Sequence, residues 1–268
     1  MKVRAFILIL GAVLASLLSA PQARAALQHR SVDYVYGGKT FRGYLAWDDA
    51  VSGKRPGVLV VHEWWGLNDY ARSRADQLAK AGYVAFAADM YGGGKVAAHP
   101  DEAGKMAGEV RANVQEWLGR AEAALQTLRT QPLVDPARLA AIGYCFGGAT
   151  VLQLAYSGAD LKAVASFHGS LFPPEQPEKI KAKIWIFHGG KDPFVKAETL
   201  EQVRAALEQG KVAARIVVYP DAVHGFTVPG SERNGLKGVA YDAEADKKSW
   251  AELLSMLEEL FSRPSPRS

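Results

Sequence analysis

What most constrains this chain is an alternation along its length, in which short β-rich runs trade places with longer stretches of helical periodicity. Residues 32–36 and 40–47 read as an antiparallel strand pair turned at Gly37 and Gly38. Residues 57–62 are apolar almost throughout, which suits a strand buried on both faces. Further strands are expected at 83–88, 138–143, 161–167, 183–187 and 214–219. Helices are expected from a cap at Asn68 to a stop at Gly82, and at 146–156, 197–209 and 243–261. One long helix is expected over 101–130, where Met106, Val110, Val114, Trp117, Ala121, Leu125 and Leu128 recur at steps of three and four. Such an order implies an α/β fold, a mostly parallel sheet with helices on both faces. Reacting groups in such sheets gather at the carboxyl ends of the strands, so the residues just after each strand are the ones to weigh.

Before these elements, Lys2 and Arg4 precede an apolar run from Ala5 to Leu18, and Ala23-Arg24-Ala25 has the small-x-small pattern of a cleavage site. Residues 1–25 are therefore expected to be a signal peptide, placing the protein in the periplasm or outside the cell, with 26–268 as a single α/β domain. The leader also distorts the charge: Lys2, Arg4 and Arg24 supply three of the net +4, leaving +1. No block of lysines and arginines remains to suggest a nucleic-acid partner, and no later run is apolar and long enough to cross a membrane. The expected partner is a small molecule, acted on by a monomer without a cofactor.

The chain has a single cysteine, so no disulfide forms within it, and a lone thiol in an oxidising compartment calls for an explanation. Gly143-Tyr144-Cys145-Phe146-Gly147 lies between a β run and a helical run, the context of a nucleophile elbow with cysteine in place of serine. The turn is strained, so flanking side chains would clash, and it sets the nucleophile at a helix N-terminus. An unassisted thiol is only a few per cent thiolate near neutrality, so a base should stand nearby. His224, in the loop after the last strand, is the expected base. Asp192, after the strand at 183–187, is the expected acid, with Asp221 as its competitor. His62, His168 and His188 also fall at strand ends and read as supporting hydrogen-bonding groups. No His-Glu-x-x-His or paired Cys-x-x-Cys pattern points to a metal, and Gly92-Gly93-Gly94-Lys95 lacks phosphate-loop spacing.

Five segments carry a resemblance: Val60-Val-His-Glu-Trp-Trp-Gly-Leu-Asn68, Ala88-Asp-Met-Tyr-Gly92, Gly143-Tyr-Cys-Phe-Gly-Gly148, His188-Gly-Gly-Lys-Asp192 and Val223-His-Gly-Phe226. In this order they resemble the dienelactone hydrolases, over roughly residues 32–260, within the α/β-hydrolase superfamily. The resemblance implies a hydrolase of esters or lactones, in the carboxymethylenebutenolidase class, with Cys145 as nucleophile, Asp192 as acid and His224 as base. It further implies that Glu63 contacts the cysteine and influences its ionisation, and that the N–H groups of Phe146 and Trp64 form the oxyanion hole. Glu63 is also placed, by its position after residues 57–62, to reach the same pocket. Two arginines that hold the substrate carboxylate in that family are missing here, since the corresponding stretches read Gly92-Gly93 and Gly225-Phe-Thr-Val228. Arg233 and Lys237 are the alternative cations in the following loop, while Trp65 and Tyr91, with Trp64, are expected to line an aromatic substrate pocket. Two rival readings are a thiol redox protein, against which the lack of a resolving cysteine weighs, and a non-catalytic binding module on a hydrolase scaffold.

Overall fold

A computed structural model describes residues 26–262; the expected leader and the end of the Pro/Ser tail lie outside the described residues. The chain opens with a hairpin of β1 (Leu27–Tyr36) and β2 (Lys39–Asp48), paired antiparallel. Gly37 and Gly38 turn it with φ of 56° and 73°, the left-handed pair that a two-residue hairpin turn requires. The later strands are β3 (Arg55–Val61), β4 (Val84–Ala88), β5 (Val134–Tyr144), β6 (Ala163–Phe167), β7 (Lys183–Gly189) and β8 (Ala214–Tyr219). Together they form one eight-stranded sheet in the order β1-β2-β4-β3-β5-β6-β7-β8. The β1–β2 and β2–β4 pairings are antiparallel and the rest parallel, as the alternation implied.

Both faces of the sheet are covered. Every residue of β3 is buried, and alternate side chains serve opposite cores. Val58 and Val60 pack with α1 (Asp69–Lys80) and α6 (Ala243–Phe261), while Leu59 and Val61 pack on the side of α3, α4 and α5. Those three helices span Val114–Arg129, Phe146–Tyr156 and Ala197–Gln209. Asn68 caps α1 as expected, its side chain accepting the Ala71 N–H at 3.2 Å, and Gly82 follows with φ 96°.

The single helix expected over 101–130 is two helices, α2 (Pro100–Arg111) and α3. Asn113 divides them. Its backbone is extended at φ −128°, and its Oδ1 accepts the Glu116 N–H at 3.1 Å, capping α3. The apolar steps run through the break because Val110 and Trp117 enter the same core on either side of it. Val114, counted among the core steps, is 47% exposed.

The sheet order also places the reaction crevice. The chain leaves β3 toward β4, then crosses back over β3 to β5, and in such sheets the crevice opens at that reversal. Because the Asn113 cap is what separates α2 from α3, Asn113→Ala is expected to lower stability by about 1 kcal/mol in urea denaturation. An unchanged midpoint would mean that another contact sets the break.

Candidate active site

At the carboxyl end of β5 the chain turns sharply into α4, and Cys145 occupies the tip with φ 51° and ψ −111°. A positive φ is costly for a residue with a Cβ, so surrounding contacts must enforce it. The flanking glycines show how. A Cβ on Gly143 would overlap the Gly147 carbonyl, and one on Gly147 would overlap the carbonyl oxygens of Val61 and His62. The first turn of α4 is thus pressed against the end of β3. The Cys145 N–H donates to the Phe167 carbonyl at 3.0 Å, tying the tip to β6. Phe146 begins the helix, where N–H groups lack intrahelical acceptors. Neither its N–H nor that of Trp64 donates to a protein acceptor among the described residues.

His224 follows β8. Its Nδ1 lies 2.8 Å from Asp192 Oδ2, and the Asp192 side chain is fully buried. The second carboxylate oxygen accepts the Phe194 N–H at 2.8 Å, so the acid is held in one orientation. This leaves Nε2 as the free ring nitrogen of His224. Burial pulls the His224 pKa down. The charge of Cys145, together with the hydrogen bond to Asp192, outweighs it and holds the imidazole well above the ordinary 6.5. Asp221 is exposed and pairs with Lys191 at 2.7 Å, away from the imidazole.

Cys145 and His224 open into a cavity of about 370 Å³ that Glu63, Trp64 and Trp65 also line. A larger open cleft of about 650 Å³, between the β1–β2 hairpin and α1, contains none of these residues. The Glu63 carboxyl makes no hydrogen bond to protein among the described residues, and burial pushes its pKa up to about 7, with His224 opposing. Tyr91 is the expected pocket residue that the structure places elsewhere. It is buried behind the wall, donates its hydroxyl to the Trp64 carbonyl at 2.8 Å and packs on His62 and Phe146. It therefore supports the loop that carries Trp64.

The flanking histidines are buried, as supporting groups should be. His62 Nε2 accepts the Met90 N–H at 3.1 Å while its Nδ1 contacts the Glu63 carbonyl. Burial lowers its pKa to about 4, so it stays neutral. His188 lies inside β7, and its Nδ1 has no partner among the described residues.

Among the cavity residues missed from sequence, one carries a charge. Neither Arg233 nor Lys237 lines the cavity, but Arg111 does, with its guanidinium 5.2 Å from the Phe146 ring centre. None of the ion pairs among the described residues uses it. It stands on α2 in line with Gly104, Ala107 and Gly108, which line the same wall. That spacing, three small residues and an arginine on one helical face, was the available signal. No group of three or more His, Cys, Asp or Glu side chains spaced for a metal occurs among the described residues.

The family model described as the dienelactone hydrolase family matches residues 41–261. A protein of Synechocystis sp., provisionally named a carboxymethylenebutenolidase, is 32% identical, covering 81% of this chain and 90% of its own. Among solved structures, a dienelactone hydrolase-like promiscuous phosphotriesterase from metagenomic libraries is 40% identical with a TM-score of 0.86, covering 88% of this chain and 100% of its own. The structure named m3DLH is likewise 40% identical, with a TM-score of 0.85 and the same coverage.

Glu63 has a further consequence for stability. Its folded pKa of about 7 exceeds the ordinary 4.5, so the fold binds its proton more tightly than the unfolded chain does. Its favourable contribution is complete below about pH 4.5 and lost as pH rises through about 7. Relative to Glu63→Gln, the wild type should lose up to about 3 kcal/mol across that interval. Denaturation curves of the two proteins that stay parallel from acid to alkaline pH would contradict this.

Proposed function

The chain belongs to the dienelactone hydrolase family, and from that premise we propose that it hydrolyses ester or lactone bonds through a Cys145 thiolate and a thioester intermediate. The observation that carries this reading is the Asp192–His224 hydrogen bond of 2.8 Å set beside the only cysteine, at the tip of a strained turn in a shared cavity. Asp192 fixes the proton on Nδ1, which leaves Nε2 for the thiol. His224 takes the Cys145 proton, and the thiolate attacks the substrate carbonyl carbon to form a C–S bond. Charge moves to the carbonyl oxygen, which in this reading accepts from the N–H groups of Phe146 and Trp64, both without a protein acceptor among the described residues. Collapse breaks the C–O bond, and His224 protonates the departing alkoxide. In the second half His224 takes a proton from water, the hydroxide adds to the thioester, and the thiolate leaves as the acid forms.

Trp64, Trp65 and Phe194 give the cavity an aromatic wall suited to a neutral ester or lactone, and Arg111 offers one anchor for a negatively charged substituent. A second substrate class is favoured by one comparison, the 40% identical phosphotriesterase. A thiolate facing two N–H donors can equally attack the phosphorus of a neutral phosphotriester. The expected leader belongs to this reading too, as the segment that would carry a monomeric enzyme to the periplasm or beyond.

Cys145→Ala is expected to abolish turnover of an aryl ester, and His224→Ala nearly so, while Asp192→Asn should lose about 10³–10⁴-fold in kcat. Steady-state kinetics on purified variants checks all three. Undiminished hydrolysis by Cys145→Ala would overturn the mechanism. A thiol that consumes peroxide while leaving esters intact would favour the redox reading instead.

A further inference from the structure

Behind His224 runs a chain of buried polar groups that the hydrolytic cycle does not use. Arg74 of α1 is 4% exposed, held by Asp246 of α6, by the Thr227 carbonyl at 2.9 Å, and by the rings of Tyr70, Tyr144 and Trp250. Its Nε–H donates to Tyr70 Oη at 3.2 Å. Tyr70 Oη lies 2.6 Å from Thr227 Oγ1, and Thr227 Oγ1 lies 2.8 Å from His168 Nε2. Thr227 and His168 are both fully buried, and His168 Nδ1 has no protein partner among the described residues.

One arrangement gives both hydroxyl protons of this chain an acceptor among the described residues. A guanidinium never accepts, so Tyr70 receives from Arg74 and directs its own hydroxyl proton to Thr227. Thr227, having accepted, turns its proton toward His168 Nε2. In that arrangement Nε2 carries the lone pair and the proton of the neutral ring is on Nδ1. A proton on Nε2 would be accepted by Thr227 Oγ1 and would leave one of the two buried hydroxyl protons without an acceptor among the described residues. The His168 ring packs against the His224 ring at 5.2 Å and 67°, on backbone held at φ 38°. Phe194 packs edge-on against His224 as well, at 5.1 Å and 84°. Thr227 stands three residues beyond His224, so the hydroxyl that orients His168 also ties down the loop carrying the base.

We propose that Thr227 and His168 are positioning residues for His224: the one-way chain from Arg74 locks His168 as the neutral Nδ1–H tautomer, and that uncharged ring sets the plane of His224 and leaves it the site's only histidine charge. The proposal rests on His224 acting as the base in the reading above. The groups facing His168 and its chain are Arg74 and Tyr70 from α1, Glu63 after β3, Tyr144 at the end of β5, His188 in β7, His224 with Asp192, and Asp246 from α6. Burial, aided by the positive charge of His224 and Arg74, holds His168 well below the ordinary histidine pKa.

Nitrogen NMR of histidine-labelled protein reads the tautomer directly. His168 should show a protonated Nδ1 and a bare Nε2, unchanged from about pH 5 to about pH 9. Thr227→Val should lower kcat by about 10- to 10²-fold with little change in KM and should alter the pH–rate profile. Thr227→Ser, which keeps the hydroxyl, should recover most of the loss. A proton on Nε2, titration of His168 within that window, or wild-type kcat and pH profile in Thr227→Val would overturn the proposal. The tautomer is read without turnover, so it decides this proposal even where Cys145→Ala shows that another group is the nucleophile.

Discussion

No side chain fits between the first turn of α4 and the end of β3, because Gly147 lies against the carbonyl oxygens of Val61 and His62, and Gly143 lies against Gly147. This close approach is the constraint on which the site depends. It forces Cys145 to a positive φ at the tip of the turn and leaves the Phe146 N–H without a protein acceptor among the described residues. The strain, of order 1–3 kcal/mol for such a residue, is held by a sheet whose central strands are buried on both faces. A fold with a looser α4–β3 contact would let the turn relax and the thiol sink.

The remaining parts are held by different devices. Asp192 is fixed by a backbone N–H and buried completely, so its charge is directed to one ring nitrogen of His224. His224 is clasped from behind by His168 and from the mouth of the cavity by Phe194. Glu63 sits in the same cavity without a hydrogen-bond partner among the described residues, which is costly when it is ionised. The site therefore contains a stabilised acid, a stabilised base and one destabilised carboxyl. That contrast is common where function and stability compete.

How much of the site is legible in the sequence depends on which physical signals are local. Paired glycines at 37–38, the Asn68 cap and the Gly-x-Cys-x-Gly turn each declare themselves within a few residues, and all stand where they were expected. Cys145, His224 and Asp192 each stand just past the carboxyl end of a strand, where a parallel sheet gathers its reacting groups. The same rule explains the misses. Arg111 enters the cavity from a helix face far from any strand end, so it escaped notice. Tyr91 comes just after a strand but turns inward, since its hydroxyl has a carbonyl to satisfy. The break at Asn113 was hidden because apolar periodicity reports which face is buried and continues across a change of axis. The chain from Arg74 to His168 joins α1, the His224 loop and the end of β6, and no spacing in sequence foretells it.

The central claim concerns covalent chemistry at one sulfur atom. Mixing the protein with an activated ester of a bulky, slowly released acyl group, quenching in acid and mapping peptides by mass reads it most directly. The account predicts a transient gain of one acyl group on the peptide containing Cys145, appearing with the first turnover and decaying as free acid accumulates. Acid released while that peptide stays unmodified, with the acyl group on another residue, would contradict it.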